Sequence, residues 1–301
     1  MHAIAAQSCV PAACADVSSS FLRAHARSRP RRYTLRPDGT LDGAAVASRP
    51  RTARAALASA LGAAVAPLPA ADADGGAAFA PAANTNADTA ADTWVHLTAQ
   101  AGFAGLRHDE RVFEALLAAS PAGSAAALAT PYCNLPPAAE RALAATAATP
   151  LAVLTAAPEA HGFAGARGVA SFVPAAYGVM EHRLLARLSA RREGVSLREF
   201  NRPGWQFHAK GLWLWPPGGA DAAEGPVATL VGSSNYGVRS AARDVEAQLA
   251  VVTTHAGLRA ALQREWLQLS EHAPPVALPQ LAARAAGVGA RLAAHAARRW
   301  M

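Results

Sequence analysis

The chain is nearly without lysine. Of its 28 basic residues only Lys210 is lysine, and the rest are arginine. Ile4 is the only isoleucine, while alanine makes up about a quarter of the 301 residues. Such skew reads as a coding bias rather than a fold signal, so the 52% hydrophobic content overstates the core-forming side chains. It also gives weight to residues that survive it. Cys9, Cys14 and Cys133 are too few and too scattered for a disulfide framework or a zinc site. No apolar run reaches the ~18 residues of a membrane-spanning helix, and the best stretch, Ala53 to Ala66, is stopped by Pro67. Acid is also short: 21 Asp+Glu leave a net charge of +7. A basic chain of this kind suits an anionic partner, whether nucleic acid, phospholipid surface or phosphorylated substrate. The length allows one large domain or two ordinary ones, enough for a real core.

The first 37 residues hold Arg23, Arg27, Arg29, Arg31, Arg32 and Arg36 against one acid, Asp16. That pattern fits a transit segment or the basic tail of a preceding lobe. A helix is expected over about Thr52–Ala66. Residues 70–92, rich in Ala, Asp, Asn, Thr and Gly without periodicity, read as a disordered insertion. From Thr93 onward strands and helices alternate, as in an α/β layer fold. Helices are expected at Asp109–Ser120, with Val112, Phe113, Leu116 and Leu117 inward, at Pro137–Ala148, at Pro174–Arg192, with Met180, Leu184, Leu185 and Leu188 inward, and at His255–Leu269. Strands are expected at Ala125–Tyr132, Pro150–Thr155, Val195–Phe200, Phe207–Trp215, Val227–Val231 and Asp244–Thr253. After Pro274, Pro275 and Pro279, one basic amphipathic helix is expected over Gln280–Met301. Its Leu281, Val288 and Leu292 recur at helical spacing, as do Arg284, Arg291, His295 and Arg298, which suits either a docked surface helix or an anionic membrane surface.

The segment that carries chemistry is Phe207-His208-Ala209-Lys210-Gly211, followed by Gly232-Ser233-Ser234-Asn235. On one strand His208 and Lys210 would share a face. An imidazole there can serve as nucleophile or general acid, with the ammonium holding a phosphate oxygen beside it. A small-residue turn after a strand offers backbone N–H groups and the Asn235 amide to the same anion. If Asp244–Thr253 is a strand, Asp244, Glu246 and Gln248 share a face, and a carboxylate there would orient and charge-stabilise the imidazole. A lone His-x-Lys means little, but here the only lysine lies two residues after a histidine, with Gly-Ser-x-Asn and an acid in order behind it.

This constellation resembles the repeated His-Lys-Asp motif of the phospholipase D superfamily. The run Leu230 to Glu246, the loop Leu154 to Phe163 with Arg167-Gly168-Val169 and Pro174 to Tyr177, and Tyr132-Cys133-Asn134-Leu135 resemble the eukaryotic-type phosphatidylglycerophosphate synthases. Tyr33 to Gly39 resembles that family more weakly. The resemblance implies a phospholipase D-type α/β lobe, a mixed sheet flanked by helices, over 93–272. Residues 1–45 would be a remnant of a first lobe, or the transit segment, 46–92 the helix and insertion, and 273–301 the basic C-terminal helix. It implies transfer of a phosphatidyl group from CDP-diacylglycerol to glycerol 3-phosphate, with release of CMP, through a phosphohistidine and without metal or other cofactor. On that basis His208 is the general acid/base, Lys210 and Asn235 stabilise equatorial charge, and Glu246 holds His208. Ser233, Arg239, Arg243, Glu159, His161 and Arg167 are candidates for substrate contact, although Arg239 and Arg243 suit ion pairs equally and Glu159, His161 and Arg167 suit loop stabilisation. The partners implied are the two substrates and an anionic membrane surface, with no nucleic acid, and the compartment is the mitochondrion, with a plastid as alternative.

Two departures stand out. The superfamily's Asp five residues after the lysine is Trp215, and a second His-x-Lys is impossible in a chain with one lysine. The expectation is that this chain matches the C-terminal half of such an enzyme, or that another chain supplies the second motif. A cardiolipin synthase-like transferase, a dimeric nuclease and a non-catalytic lipid-binding half-domain remain the alternatives.

Overall fold

A computed structural model describes residues 93–218 and 225–297. The helix expected near 52–66, the 70–92 insertion and the 1–45 segment lie outside the described residues. Apart from Phe103–Leu106, all described residues belong to one compact unit. It is built on an eight-stranded mixed sheet. The strands are β1 (Thr93–Ala101), β2 (Leu106–Arg107), β3 (Ala125–Ala129), β4 (Leu151–Ala156), β5 (Val195–Phe200), β6 (Gly211–Trp215), β7 (Ala228–Gly232) and β8 (Val245–Thr253). The helices are α1 (His108–Ala118), α2 (Pro137–Ala145), α3 (Val173–Ser189), α4 (Val238–Ala242), α5 (Ala256–Glu271), α6 (Leu278–Ala285) and α7 (Val288–Ala297).

The seven longer strands run in the order β1-β8-β7-β6-β3-β4-β5. β3, β4 and β5 are parallel, and the remaining neighbours are antiparallel. β3 reads Ala-Ala-Ala-Leu-Ala and is buried at every position, the signature of a strand covered on both faces. β8 alternates instead, and its buried side carries Glu246, Gln248 and Ala250. Gly232 ends β7 where a Cβ would lie 2.3 Å from the Ala247 carbonyl oxygen, so the close approach of β7 to β8 requires glycine. The aromatic core lies on the other side of the centre: Phe200, Phe207, Trp213, Trp215 and Trp266 pack together. The Trp213 and Trp215 indole N–H groups donate to Glu265 (3.2 Å) and Gln263 (2.7 Å) on α5, so both rings are buried without leaving a donor unmade.

The expected helix faces hold. Val112, Phe113, Leu116 and Leu117 on α1 and Met180, Leu184, Leu185 and Leu188 on α3 are buried. Several boundaries move. Asn134 precedes α2, whose first turn is entered through Pro136, and its carbonyl accepts the Val238 N–H (2.8 Å). Cys133 is a buried core residue, and burial pushes its thiol far up.

The single C-terminal helix is overturned. The chain breaks after Ala285, and Gly287 precedes a separate α7. Arg291 Nε reaches back to the Ala285 carbonyl (2.9 Å) and satisfies one of the acceptors that a helix end leaves open. Leu281 is fully buried against Leu185 and Leu197, whereas Val288 and Leu292 are exposed, so the three do not form one stripe. Ala285 and Ala294 pack on Ala176, Tyr177, Val179 and Met180 of α3. Alanine, mute in the composition, is what lets these helices approach.

Candidate active site

The antiparallel and parallel pairings bring one set of strand ends to one edge. β3 and β4 end there, β6 begins, β7 ends and β8 begins. Every catalytic candidate lies in that row. His208 and Lys210 precede β6, Ser233 and Asn235 follow β7, and Glu246 is the second residue of β8. Glu159 and His161 follow β4.

His208 and Lys210 are not on a strand, contrary to expectation. β6 starts at Gly211, which pairs with Ala129, the last residue of β3. Beyond it the partner chain runs into Pro131, which has no N–H to extend the ladder. The motif is held by Phe207 instead, whose N–H donates to the Ala160 carbonyl (2.9 Å) and whose ring is buried on Phe200. The two side chains still meet. Lys210 Nζ lies 2.9 Å from His208 Nδ1, 3.2 Å from Nε2 and 3.0 Å from the His208 carbonyl oxygen. Burial, then the Lys210 charge, moves His208 below the ordinary imidazole range. Burial brings Lys210 down to about 8, against the opposing pull of Glu246.

The geometry around Glu246 differs from the expected one. Its carboxylate accepts from Ser233 Oγ (2.5 Å) and Ser240 Oγ (2.7 Å). Its charge acts on Lys210, and His208 hydrogen-bonds Lys210 rather than the carboxylate. Ser240 Oγ also accepts the Asn235 N–H (3.2 Å), while the Asn235 carbonyl accepts from Thr130 Oγ1 (2.7 Å). The carboxylate thus fixes the Asn turn through a serine and charges the lysine. Asp244 lies before β8 and pairs with Arg239, 3.0 Å from Nε to each oxygen, so Arg239 takes the ion-pair alternative. Arg243 is exposed at the end of α4.

Glu159 and Arg167 are exposed, but His161 is only 3% exposed. Its Nδ1 accepts the Phe163 N–H (3.2 Å), which places the proton of the neutral ring on Nε2. Burial lowers its pKa to about 4. The ring sits against Tyr177 (4.9 Å) and Tyr132 (5.3 Å). Tyr132 in turn stands edge-on to His208, with centroids 6.0 Å apart at 73°. Sequence reasoning misses Tyr132 and Ser240: Tyr132 lies in the family-like Tyr132–Leu135 segment and Ser240 between Arg239 and Arg243, but neither carries a motif of its own.

No family model matches the chain. Curated proteins do, among them two with the name CDP-diacylglycerol–glycerol-3-phosphate 3-phosphatidyltransferase, mitochondrial. The Gallus gallus protein is 41% identical over 180 residues, 59% of this chain and 31% of its own length. The Homo sapiens protein is 41% identical over 182 residues, 60% of this chain and 32% of its own. These are homologues of the chain. It spans about a third of the length of these relatives. Among solved structures, the Haemophilus influenzae Rd KW20 phosphatidylserine synthase superposes with a TM-score of 0.54 at 16% identity, over 69% of this chain and 48% of that one. The fold is the expected α/β lobe, a mixed sheet flanked by helices, and it is shared with that structure.

The single lysine makes the site directly measurable. In the full chain labelled with 13C-lysine, one side-chain signal should titrate with a midpoint near 8 rather than in the ordinary lysine range. Glu246→Gln should lower that midpoint further, because the carboxylate holds it up. A midpoint near 10.5 in both proteins would refute the burial and charge arrangement described above.

Proposed function

We propose that this lobe supplies one half of a phosphatidyl-transfer site that takes CDP-diacylglycerol as donor and glycerol 3-phosphate as acceptor. The observation that supports this reading is the convergence of His208, Lys210, Asn235 and Glu246 at one sheet edge in a homologue of enzymes of that name. A histidine of a second motif, from outside these residues or from another chain, attacks the phosphorus, and His208 protonates the departing CMP. The P–O bond to CMP breaks as a P–N bond forms. His208 then takes the proton of the acceptor hydroxyl as the new P–O bond replaces P–N. Lys210 and the Asn235 turn stabilise the charge that develops on the equatorial oxygens. His208 and Lys210 both titrate low without substrate. An anionic diphosphate beside them raises both, so donor binding itself charges the acid.

The lobe works as a peripheral protein on an anionic membrane, in the mitochondrion. Among the described residues no helix is long and apolar enough to cross a membrane. Val288 and Leu292, one turn apart on α7, and Phe172 are exposed and suit such a surface.

The test is CMP release from CDP-diacylglycerol in anionic vesicles, with and without glycerol 3-phosphate. Turnover is expected when the chain is combined with a polypeptide bearing a second His-x-Lys, and it should depend on the acceptor. DNA cleavage without lipid turnover would overturn this reading in favour of a nuclease.

A further inference from the structure

Behind the Asn235 turn lies a buried acid with no obvious use. Asp109, in the first turn of α1, is 4% exposed. From β1 it is faced by Thr98 and Gln100, from β8 by Glu246 and Gln248, and from its own helix by Glu110 and Glu114. The turn contributes Ser234 and Tyr236. The charged groups acting on Asp109 are both acids, Glu246 and Glu110. Around it sit buried polar atoms without a hydrogen-bond partner within normal geometry: both Asp109 oxygens, Gln100 Oε1, Gln248 Oε1 and Nε2, and the Tyr236 hydroxyl. Asp109, Gln100 and Tyr236 border a cavity of about 20 Å³, the room of roughly one water.

Tyr236 is the described non-glycine residue with a left-handed backbone, φ 55°. Such a conformation persists only where its surroundings enforce it. The Ser234 hydroxyl accepts the Tyr236 N–H (3.1 Å), and the Tyr236 ring is buried on Phe113 (5.3 Å) beside Asp109. The residue before it is Asn235, whose N–H is tied through Ser240 to Glu246.

We propose that Asp109 is a positioning residue: as a neutral carboxylic acid it donates into the Gln100–Tyr236 cavity and holds the left-handed turn that presents Asn235. The Thr98 hydroxyl and the Gln248 amide can donate to it, but among the described residues no cation faces it from these elements and both charged neighbours are acids, so burial favours the proton over the charge. Burial raises its pKa to about 6, hydrogen bonds from Thr98 and Gln248 oppose the rise, and the charges of Glu246 and Glu110 add to it. Loss of the proton leaves an uncompensated charge behind the turn, and Asn235 shifts with it. The role given to Asn235 rests on the proposed transfer reading; the coupling of Asp109 to the turn does not.

The experiment follows the backbone amide signals of Asn235 and Tyr236 by NMR between pH 5 and 8 in the full chain without substrate. They should shift with a midpoint near 6. In Asp109→Asn, which keeps the shape but cannot ionise, they should stay at their low-pH positions, while shifts caused by histidines persist. In Glu246→Gln the midpoint should fall, and this second variant decides the matter if Asp109→Asn does not fold. Amides that do not titrate, or that titrate equally in Asp109→Asn, would overturn the proposal. Turnover plays no part in these readouts, so failure of the transfer reading and failure of this one are separable.

Discussion

His208→Ala is expected to cut CMP release in the assembled two-motif site by about 10²–10⁴-fold, the range for loss of a positioned general acid or base. The fold should be unaffected, because His208 is exposed and hydrogen-bonds Lys210 rather than the core. The division of labour between the two histidines can be read from the leaving group. p-Nitrophenolate can depart from a p-nitrophenyl ester of phosphatidic acid without a proton, much as CMP can with a second phosphate pKa of about 6, and its release is followed directly by absorbance. With that donor, His208→Ala should release about one equivalent of p-nitrophenol and then stall as a phosphohistidine. The first step does not need the acid, and the second still needs the base. If His208 were the nucleophile, no covalent intermediate and no burst would form. Lys210→Ala and Asn235→Ala should each lose about 10²–10³-fold, as removal of one charge-stabilising donor does. They should slow the burst as well as the steady state, which separates charge stabilisation from proton transfer.

Much of this site was readable before the structure because its parts are local. The order of His208, Lys210, Asn235 and Glu246 along the chain, and the buried face of β8, follow from motif and alternation alone. What failed depended on distant partners. The extension of β6 back to Phe207 looked sound from its own residues. A strand exists only where a neighbour pairs with it, and β3 stops at Ala129. The C-terminal helix had a regular spacing of apolar residues, but a periodic pattern cannot say that Arg291 will close a helix at Ala285. Glu246 was assigned to the imidazole because an acid near a catalytic histidine has that role elsewhere. Here two serine hydroxyls reach its oxygens first, one from the β7 turn and one from α4. Ser240 and Asp109 were invisible because their importance lies in what they touch.

Glu181→Gln should stabilise the lobe by about 2–4 kcal/mol at pH 8 and leave it nearly unchanged at pH 4. Glu181 lies in the middle of α3, is 3% exposed, and accepts from Thr155 Oγ1 (3.3 Å). Burial, then the neighbouring Glu199, raises its pKa from 4.5 to about 8. The folded state therefore holds a proton that the unfolded chain releases above pH 4.5. Where the folded state binds more protons, stability falls as pH rises, so the wild type should weaken progressively from about pH 4.5 to 8. Glutamine keeps the acceptor for Thr155 and cannot ionise, which should flatten that slope in chemical denaturation. A wild type equally stable at pH 5 and 8 would contradict it. Arg284→Ala should act in the opposite sense. Arg284 Nη1 lies 2.6 Å from both oxygens of the nearly buried Glu199, and its charge also favours ionised Glu181. Its removal leaves the Glu199 carboxylate beside the Glu181 carboxyl group without a cation. Broken buried pairs cost about 3–5 kcal/mol, but the Arg284 side chain is 44% exposed, so about 1–3 kcal/mol is expected here. Glu181→Gln should recover part of that loss, because the two changes share one cluster and cannot be additive. Since Arg284 belongs to α6, the double variant also asks whether the C-terminal helices are held by this ion pair or by their alanine contacts with α3. If the contacts suffice, Arg284→Ala should shift stability while the near-ultraviolet signal of Tyr177, buried under Ala285 and Ala294, stays as it was.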